Sequence, residues 1–285
     1  MPRRIPTHSA VTIQLSTIST PAERLLSIKP GPVDPGILER AEDMGWTRIP
    51  VLTDDGDLAG LIPARKLRQL IDNNEPIDPD KATIDVPELP GTVPVLQLLD
   101  DLSTAHAVIH RAGTDENRPD SWFALITTAD LNRPLFRASI YTIIALLETG
   151  LGELIMEEFD DDWGAIRLLS EGTAKRVREF HKEQKDEGLD LSPVVQLTLS
   201  DMFHIARTSR NVWRLLGAES PDALGEVAHE INEIRNRVMH PIQPLIPHER
   251  DLVIVRDAVA QMLRLTDEIA KASNSRETPS ATRAR

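Results

Sequence analysis

A chain of 285 residues with 40% apolar side chains carries enough material for two domains, each with its own core. It has no cysteine, which excludes a disulfide framework and any thiolate metal centre and makes a cytoplasmic setting the expectation. Its 45 acids against 32 Lys and Arg leave a formal charge of −13, which excludes a general nucleic-acid binder working through a broadly basic surface.

No stretch is read as long and apolar enough to span a bilayer, so no membrane partner is expected. Met1-Pro2-Arg3-Arg4 does not lead into the apolar run of a signal peptide. Residues 1–20 form an N-terminal arm in which Ala10 to Leu15 alternates like a short strand. Short β-like runs and single helices then alternate to about residue 136, with prolines at the joins. A helix is predicted over Pro35–Met44. A strand at Arg48–Thr53, a tight turn at Asp54-Asp55-Gly56 and a strand at Leu58–Ile62 follow, then a helix over Ala64–Ile71. The order returns as a helix over Val93–Leu102, a strand at His106–His110, a polar loop from Arg111 to Asp120, a strand at Trp122–Ile126 and a helix-forming segment from Ala129.

These two βαββα units resemble a tandem pair of CBS motifs, the regulatory type named after cystathionine β-synthase. The resemblance implies an adenine nucleotide in the cleft between the motifs, with a Thr or Ser and an Asp three residues later at the ribose and phosphate. The second unit matches in Thr127-Thr128-Ala129-Asp130, making Thr127 and Asp130 the nucleotide-binding candidates. A hydroxyl at a helix start meets phosphate, and a carboxylate accepts from two ribose hydroxyls. An ordinary helix cap needs the same residue types, and that alternative stands beside the ligand site. The first unit departs from the pattern. Pro63-Ala64-Arg65-Lys66 offers proline for the hydroxyl and lysine for the acid, so at most one orthodox site is expected, or one with a different ligand preference.

From residue 137 to 272 the strands vanish and amphipathic helices take over. The fold class is therefore an α+β first half followed by an all-α bundle. Helices are predicted over Ser139–Met156, Trp163 to about Lys185, Pro193–Leu216, the segment after Ser220, and His248 to about Lys271. The acidic run from Glu157 to Asp162 reads as a junction placing acids at the next helix start, with a divalent-cation site as the weaker alternative. The exposed side of the third helix carries His204 and three arginines, Arg207, Arg210 and Arg214, whose spacings of three and four put these arginines on one stripe. They are read as a local RNA-binding stripe or, equally, a solvated face. Residues 273–285 are polar and expected to be disordered.

The fourth helix starts with Ser220-Pro221-Asp222, a cap, a proline where no amide hydrogen is needed, and an acid in the first turn. Leu224, Val227, Ile231, Ile234 and Val238 make its buried stripe, and Pro241 stops it. Projection at about 100° per residue puts Asn236 and His240 opposite that stripe, with His229 and Glu233, and Arg235 on its shoulder. A histidine kept for packing would face the core, whereas His240 faces away at a helix C-terminus, where the backbone dipole favours a cation.

Arg235-Asn236-Arg237-Val238-Met239-His240 resembles the Arg-Asn-x-x-x-His motif of HEPN-domain ribonucleases, and the helical half fits that fold. The resemblance implies a homodimer whose two motif helices build one composite site. It implies metal-independent cleavage of RNA by its own 2′-hydroxyl, with no cofactor required. Arg235, Asn236 and His240 are then the catalytic candidates, with Arg237 assisting on RNA. Growth arrest as a toxin, or phage defence, is the role the family analogy offers. The competing reading is a non-catalytic adaptor that dimerises through its helices and senses a nucleotide through its first half.

Overall fold

The computed structural model describes residues 13–21, 24–84, 88–101, 106–110, 123–127, 129–159, 161–248 and 250–277. The chain divides into two compact units, 1–136 and 137–285.

In the first unit, α1 (Leu15–Ile18) leads into β1 (Thr20–Pro21); of the strand predicted over Ala10–Leu15, Gln14 bridges Pro94 antiparallel, Leu15 belongs to α1, and Ala10 to Thr12 lie outside the described residues. Next, α2 (Pro35–Asp43) starts on the Asp34 side chain, which accepts from the Gly36 amide, and a proline follows at the first helical position. Strands β2 (Arg48–Leu52) and β3 (Leu58–Pro63) pair antiparallel across the turn at Gly56, and α3 (Ala64–Asp72) and α4 (Pro79–Ala82) follow. Ile28 bridges Val51 in parallel on one side of this pair, and Ile84 bridges Leu61 antiparallel on the other.

The second motif repeats that arrangement. β4 (Glu88–Pro90) runs parallel to β5 (His106–His110), with α5 (Leu98–Asp101) between them. β5 pairs antiparallel with β6 (Phe123–Thr127), which pairs antiparallel with β1. In both motifs a parallel neighbour, two antiparallel central strands and an added antiparallel edge occur in the same order. The added edge of the second motif comes from the start of the chain, so the strand order is β1-β6-β5-β4. Gly60 marks where the first motif is tightest. Its φ is +148°, and a Cβ there would lie 2.6 Å from Thr83 Cβ, so only glycine allows the approach. Ile49, Val51, Ile62 and Leu67 form the first motif's core. The predicted Arg111–Asp120 loop and Trp122 lie outside the described residues.

The second unit is helical. The long helix α6 (Pro134–Glu158) spans 25 residues, starting five earlier than the sequence suggested. By length and composition it could cross a membrane, contrary to the reading that no stretch could. It buries Ile140, Ile143, Ile144, Leu147, Leu151 and Ile155, and an interior helix of a soluble protein meets the same test. The predicted second helix is two: α7 (Asp162–Ile166), capped by Asp161, and α8 (Glu171–Asp186), capped by Ser170. The predicted third helix is three pieces: a 3₁₀ turn at Pro193–Gln196, α9 (Leu199–Thr208) and α10 (Arg210–Leu215). Thr198 and Asp201 form a reciprocal capping box that starts α9, and Ser209 is extended, which ends it. The motif helix α11 (Pro221–Met239) matches its prediction, while α12 begins at Asp251 and runs to Glu277.

Candidate functional site

Helix α11 is anchored at both ends. At the start, Ser220 Oγ accepts from the Ala223 amide at 3.1 Å. Along its length Leu224, Ala228, Ile231, Ile234 and Val238 are buried. Burying five such positions fixes the rotation of the helix, and the rotation decides what its far side presents.

His240 is the residue at which the helix ends. Its amide still donates to Asn236 O at 3.1 Å, but its backbone (φ −111°, ψ 80°) has left helical geometry. Its carbonyl accepts from Gln243 N at 3.0 Å, so Pro241 and Ile242 form a tight turn. The His240 and Asn236 side chains are exposed. Arg235 is half-buried, and its Nη1 donates to Asn236 Oδ1 at 3.4 Å, a side-chain hydrogen bond beside the backbone bond from His240 to Asn236. On an ideal helix Arg235 and His240 would be about 140° apart, but His240 lies past the last helical residue, so its side chain is not bound to that angle. Beside them Met239 is exposed, and Ile242 is 99% exposed at the tip of the turn.

The residue that holds this turn is one the sequence reading passed over. Arg137 is 6% exposed, with Nη1 donating to Arg237 O at 2.6 Å and Nη2 to Gln243 O. One buried fork thus ties the end of α11 to the turn after His240, satisfying a carbonyl that the helix end leaves free. Burial lowers the Arg137 pKa from the ordinary arginine value. The available signal was an arginine in the first turn of an otherwise apolar helix.

The other arginines divide. Arg237 is spent on structure: Nη2 pairs with Glu233 at 2.6 Å, and Nη1 faces Leu245 O at 3.5 Å and Asp251 at 4.0 Å. It was predicted to touch RNA, but the residue at that turn of the helix faces the loop before α12. Arg207 Nε donates to Pro221 O at 3.0 Å, with Asp222 at 3.5 Å from Nη2. Arg210 is exposed, and Arg214 lies over the Trp213 ring at 5.3 Å. The extended Ser209 breaks the helical phase between Arg207 and Arg210, so the predicted single stripe is not continuous. Between α9 and α11 runs a cleft of about 280 Å³, with His204 and Arg207 on one wall and His229 and Asn232 on the other.

In the first unit, Thr127 and Asp130 do meet. Asp130 Oδ2 accepts from Thr127 N at 2.8 Å and Thr127 Oγ1 at 3.0 Å. Two residues that sequence reasoning missed complete the cluster. Thr20 Oγ1 donates to Asp130 Oδ1 at 3.2 Å, and Arg133 Nη2 sits 2.7 Å from the same oxygen. Arg133 also donates to Ile18 O at 2.7 Å and to Thr20 Oγ1 at 2.9 Å. Asp130 is 3% exposed, and burial raises its pKa, opposed by Arg133 and Thr127. Both its oxygens are engaged, so a ribose would have to displace Thr20 or Arg133 to reach them. Thr128 lies outside the described residues. At the matching place in the first motif, α3 starts at Pro63 with no side-chain cap.

The acidic run serves the helix junction. Asp161 caps α7 through the Trp163 amide and pairs with Arg167 at 3.1 Å. Among the described residues no group of three His, Asp or Glu side chains is placed to hold a metal ion.

No family model matches the chain, and no curated protein matches it. Among solved structures it is similar to a CBS domain-containing protein of unknown function from Bacillus anthracis str. Ames Ancestor, at 16% identity over 44% of this chain and 94% of that one, with a TM-score of 0.36. A hemolysin-like protein containing a CBS domain from Oenococcus oeni PSU matches at 12% identity over 42% of this chain and 88% of that one, TM-score 0.35. CBSX2 in complex with AMP matches at 17% identity over 45% of this chain and 97% of that one, TM-score 0.33. Likenesses this partial carry no activity across to this chain.

Proposed function

We propose that the protein is a metal-independent endoribonuclease that works through the end of α11, under the control of a ligand in its first unit. The observation that supports this reading best is His240, an exposed imidazole beside Asn236, on a helix whose rotation and end are both fixed by the core and by Arg137. Fixed backbone and exposed side chain is the combination that general acid–base work requires.

In the proposed reaction the RNA 2′-oxygen forms a bond to the adjacent phosphorus and the bond from phosphorus to the 5′-oxygen breaks. One His240 imidazole takes the 2′-hydroxyl proton, and a His240 imidazolium, the one so formed or that of the second copy, gives a proton to the departing 5′-oxygen. The products are a 2′,3′-cyclic phosphate and a 5′-hydroxyl, with no other reactant. Histidine suits both proton transfers because its ordinary titration range lies nearest neutral pH. Arg235 stabilises charge gathering on the phosphate, and Asn236 orients it or the imidazole. In the homodimer the working Arg235 and His240 come from one copy, whose chain loosens at His240, or the arginine of one copy pairs with the histidine of the other. Met239 and Ile242, exposed beside His240, give that second copy an apolar place to sit.

For regulation we propose that an adenine nucleotide exchanges its ribose hydroxyls for Thr20 and Arg133 at Asp130. Arg133 precedes α6 by one residue, and Arg137, which holds the turn after His240, lies four residues further on. Release of Arg133 from Asp130 is the event that would be passed along this segment.

The test is incubation of the purified protein with total RNA in EDTA, with and without AMP, ADP or ATP, beside His240→Ala. Metal-free cleavage by the parent and none by the variant supports the reading. An intact RNA pool under every nucleotide condition overturns it. That outcome favours the adaptor reading, a non-catalytic nucleotide sensor that dimerises through its helical half, for which the exposed Ile242 and Met239 are the specific observation.

A further inference from the structure

The cleft between α9 and α11 lies outside the motif, and its chemistry is unlike the rest of this acidic chain. Phe203 and Ala228 form its apolar floor. Ser200, His204 and Arg207 line it from α9, and Gly225, His229 and Asn232 from α11, with no carboxylate among them. Neither imidazole has a hydrogen-bond partner among the described residues. Asn232 gives one of its two amide hydrogens to Ala228 O at 2.8 Å, which leaves one N–H and the side-chain carbonyl to bond a ligand.

Gly225 belongs to this arrangement. A Cβ there would fall 2.6 Å from Arg207 Cζ, so the guanidinium lies directly on the α11 backbone, held by Pro221 O. The Arg207 side chain is thereby laid against Gly225 at the edge of the cleft, still 42% exposed.

Helix α11 sorts its charges by face. Projected at 100° per residue, Gly225, His229, Asn232 and Asn236 fall in one strip about 60° wide that holds no acid, and His240 lies about 20° past its edge, at the angle of Asp222. Asp222, Glu226, Glu230 and Glu233 fall in the adjoining strip. The first strip runs from the cleft toward His240, about 16 Å from His229 at 1.5 Å per residue. At the other end the cleft opens between Arg207 and His229 onto Asp222, Glu226 and Glu230, which repel a polyanion.

We propose that this strip is an RNA track: single-stranded RNA lies in the α9–α11 cleft and runs along α11 to His240, without passing the acidic start of the helix. This rests on the ribonuclease reading for its substrate class. Arg207 contacts phosphate, the two imidazoles face bases, and the Asn232 carbonyl accepts from a 2′-hydroxyl or a base amino group. A chain of net charge −13 thereby holds an anionic polymer through one local channel.

The test uses the full-length chain carrying His240→Ala, so that RNA is not consumed, and a fluorescein-labelled 12-nucleotide single-stranded RNA followed by anisotropy. Adding His229→Glu, a change at an exposed position, is expected to weaken binding about tenfold and flatten its salt dependence. Arg207→Ala is expected to do the same, and its melting temperature separates lost contact from lost fold. Glu230→Gln, on the acidic strip, is expected to bind as tightly as its parent or tighter. Unchanged binding in the His229 variant, or equal affinity for duplex RNA of the same sequence, overturns the track. The two readings fail separately: a parent that never cuts RNA but binds it in a His229-dependent way sinks the nuclease and leaves the track standing.

Discussion

Two polar clusters carry the functional reading, and they are built in opposite ways. Around Asp130 every acceptor is engaged by the chain itself, through Thr20, Thr127 and Arg133, and the carboxyl is almost wholly buried. Around His240 the His240 and Asn236 side chains are exposed and Arg235 is half-buried, reaching Asn236 by one long hydrogen bond, while the backbone beneath them is pinned by Arg137. The first is a closed knot whose polar groups stabilise one another. The second is an open end that leaves the His240 and Asn236 side chains exposed. The contrast shows that residue types suited to binding do not make a site until their bonding capacity is left over.

The widest separation of the two clusters should come from His240→Ala. RNA cleavage is expected to fall at least about 100-fold, with unfolding free energy changed by less than about 0.5 kcal/mol. Cleavage on a gel and thermal melting measure the two sides, and a large loss of stability would move His240 into the closed class.

Arg137→Met tests whether the open end depends on a buried support. It removes a charged donor from two carbonyls, and about 2–3 kcal/mol of stability is expected to go with it, along with most cleavage. Arg137→Lys, which keeps the charge but not the fork, should recover stability better than activity. Equal recovery of both would show that the fork does not position the turn.

Asp130→Ala should cost about 2 kcal/mol in the first unit by leaving Arg133 and two threonine hydroxyls without their acceptor. Its pH signature is more telling. Burial raises the Asp130 pKa, so the folded chain holds the proton to higher pH than the unfolded chain. The stability it contributes is therefore fully present below the ordinary carboxylate pKa and is lost as pH rises through the folded value. Relative to Asp130→Asn, wild type should gain in melting temperature as pH falls from 7 toward 4.5, and an opposite slope would show the salt bridge to Arg133 outweighing burial. Smallest is Gly60→Ala, expected to cost at least about 1 kcal/mol because φ is +148° and Thr83 occupies the Cβ position; RNA cleavage per folded molecule should be unchanged.

Much of the scaffold was legible along the chain. Ser220-Pro221-Asp222 and Pro241 bracketed α11, and strand-turn-strand runs gave β2, β3, β5 and β6 within a residue or so. These are local signals of capping, proline geometry and alternation. Where local signals were weak, boundaries moved. Ser209 is an unremarkable residue in an apolar periodic run, yet it is extended and splits the third helix, which took Arg207 and Arg210 out of phase. The acceptor-filled state of Asp130 was equally invisible, since Thr20 lies 110 residues away in sequence.

The sequence by itself determined which residues could do chemistry and which face of α11 would carry them, because periodicity and caps act within a few residues. Only the tertiary structure decided which of those groups were already used. Arg237 went to Glu233 and the following loop, Asp130 to a knot closed by the chain's first strand, and Arg137 to the turn that holds His240. Hydrogen-bonding capacity is consumed by neighbours in space, and the spacing of residues along the chain does not record them.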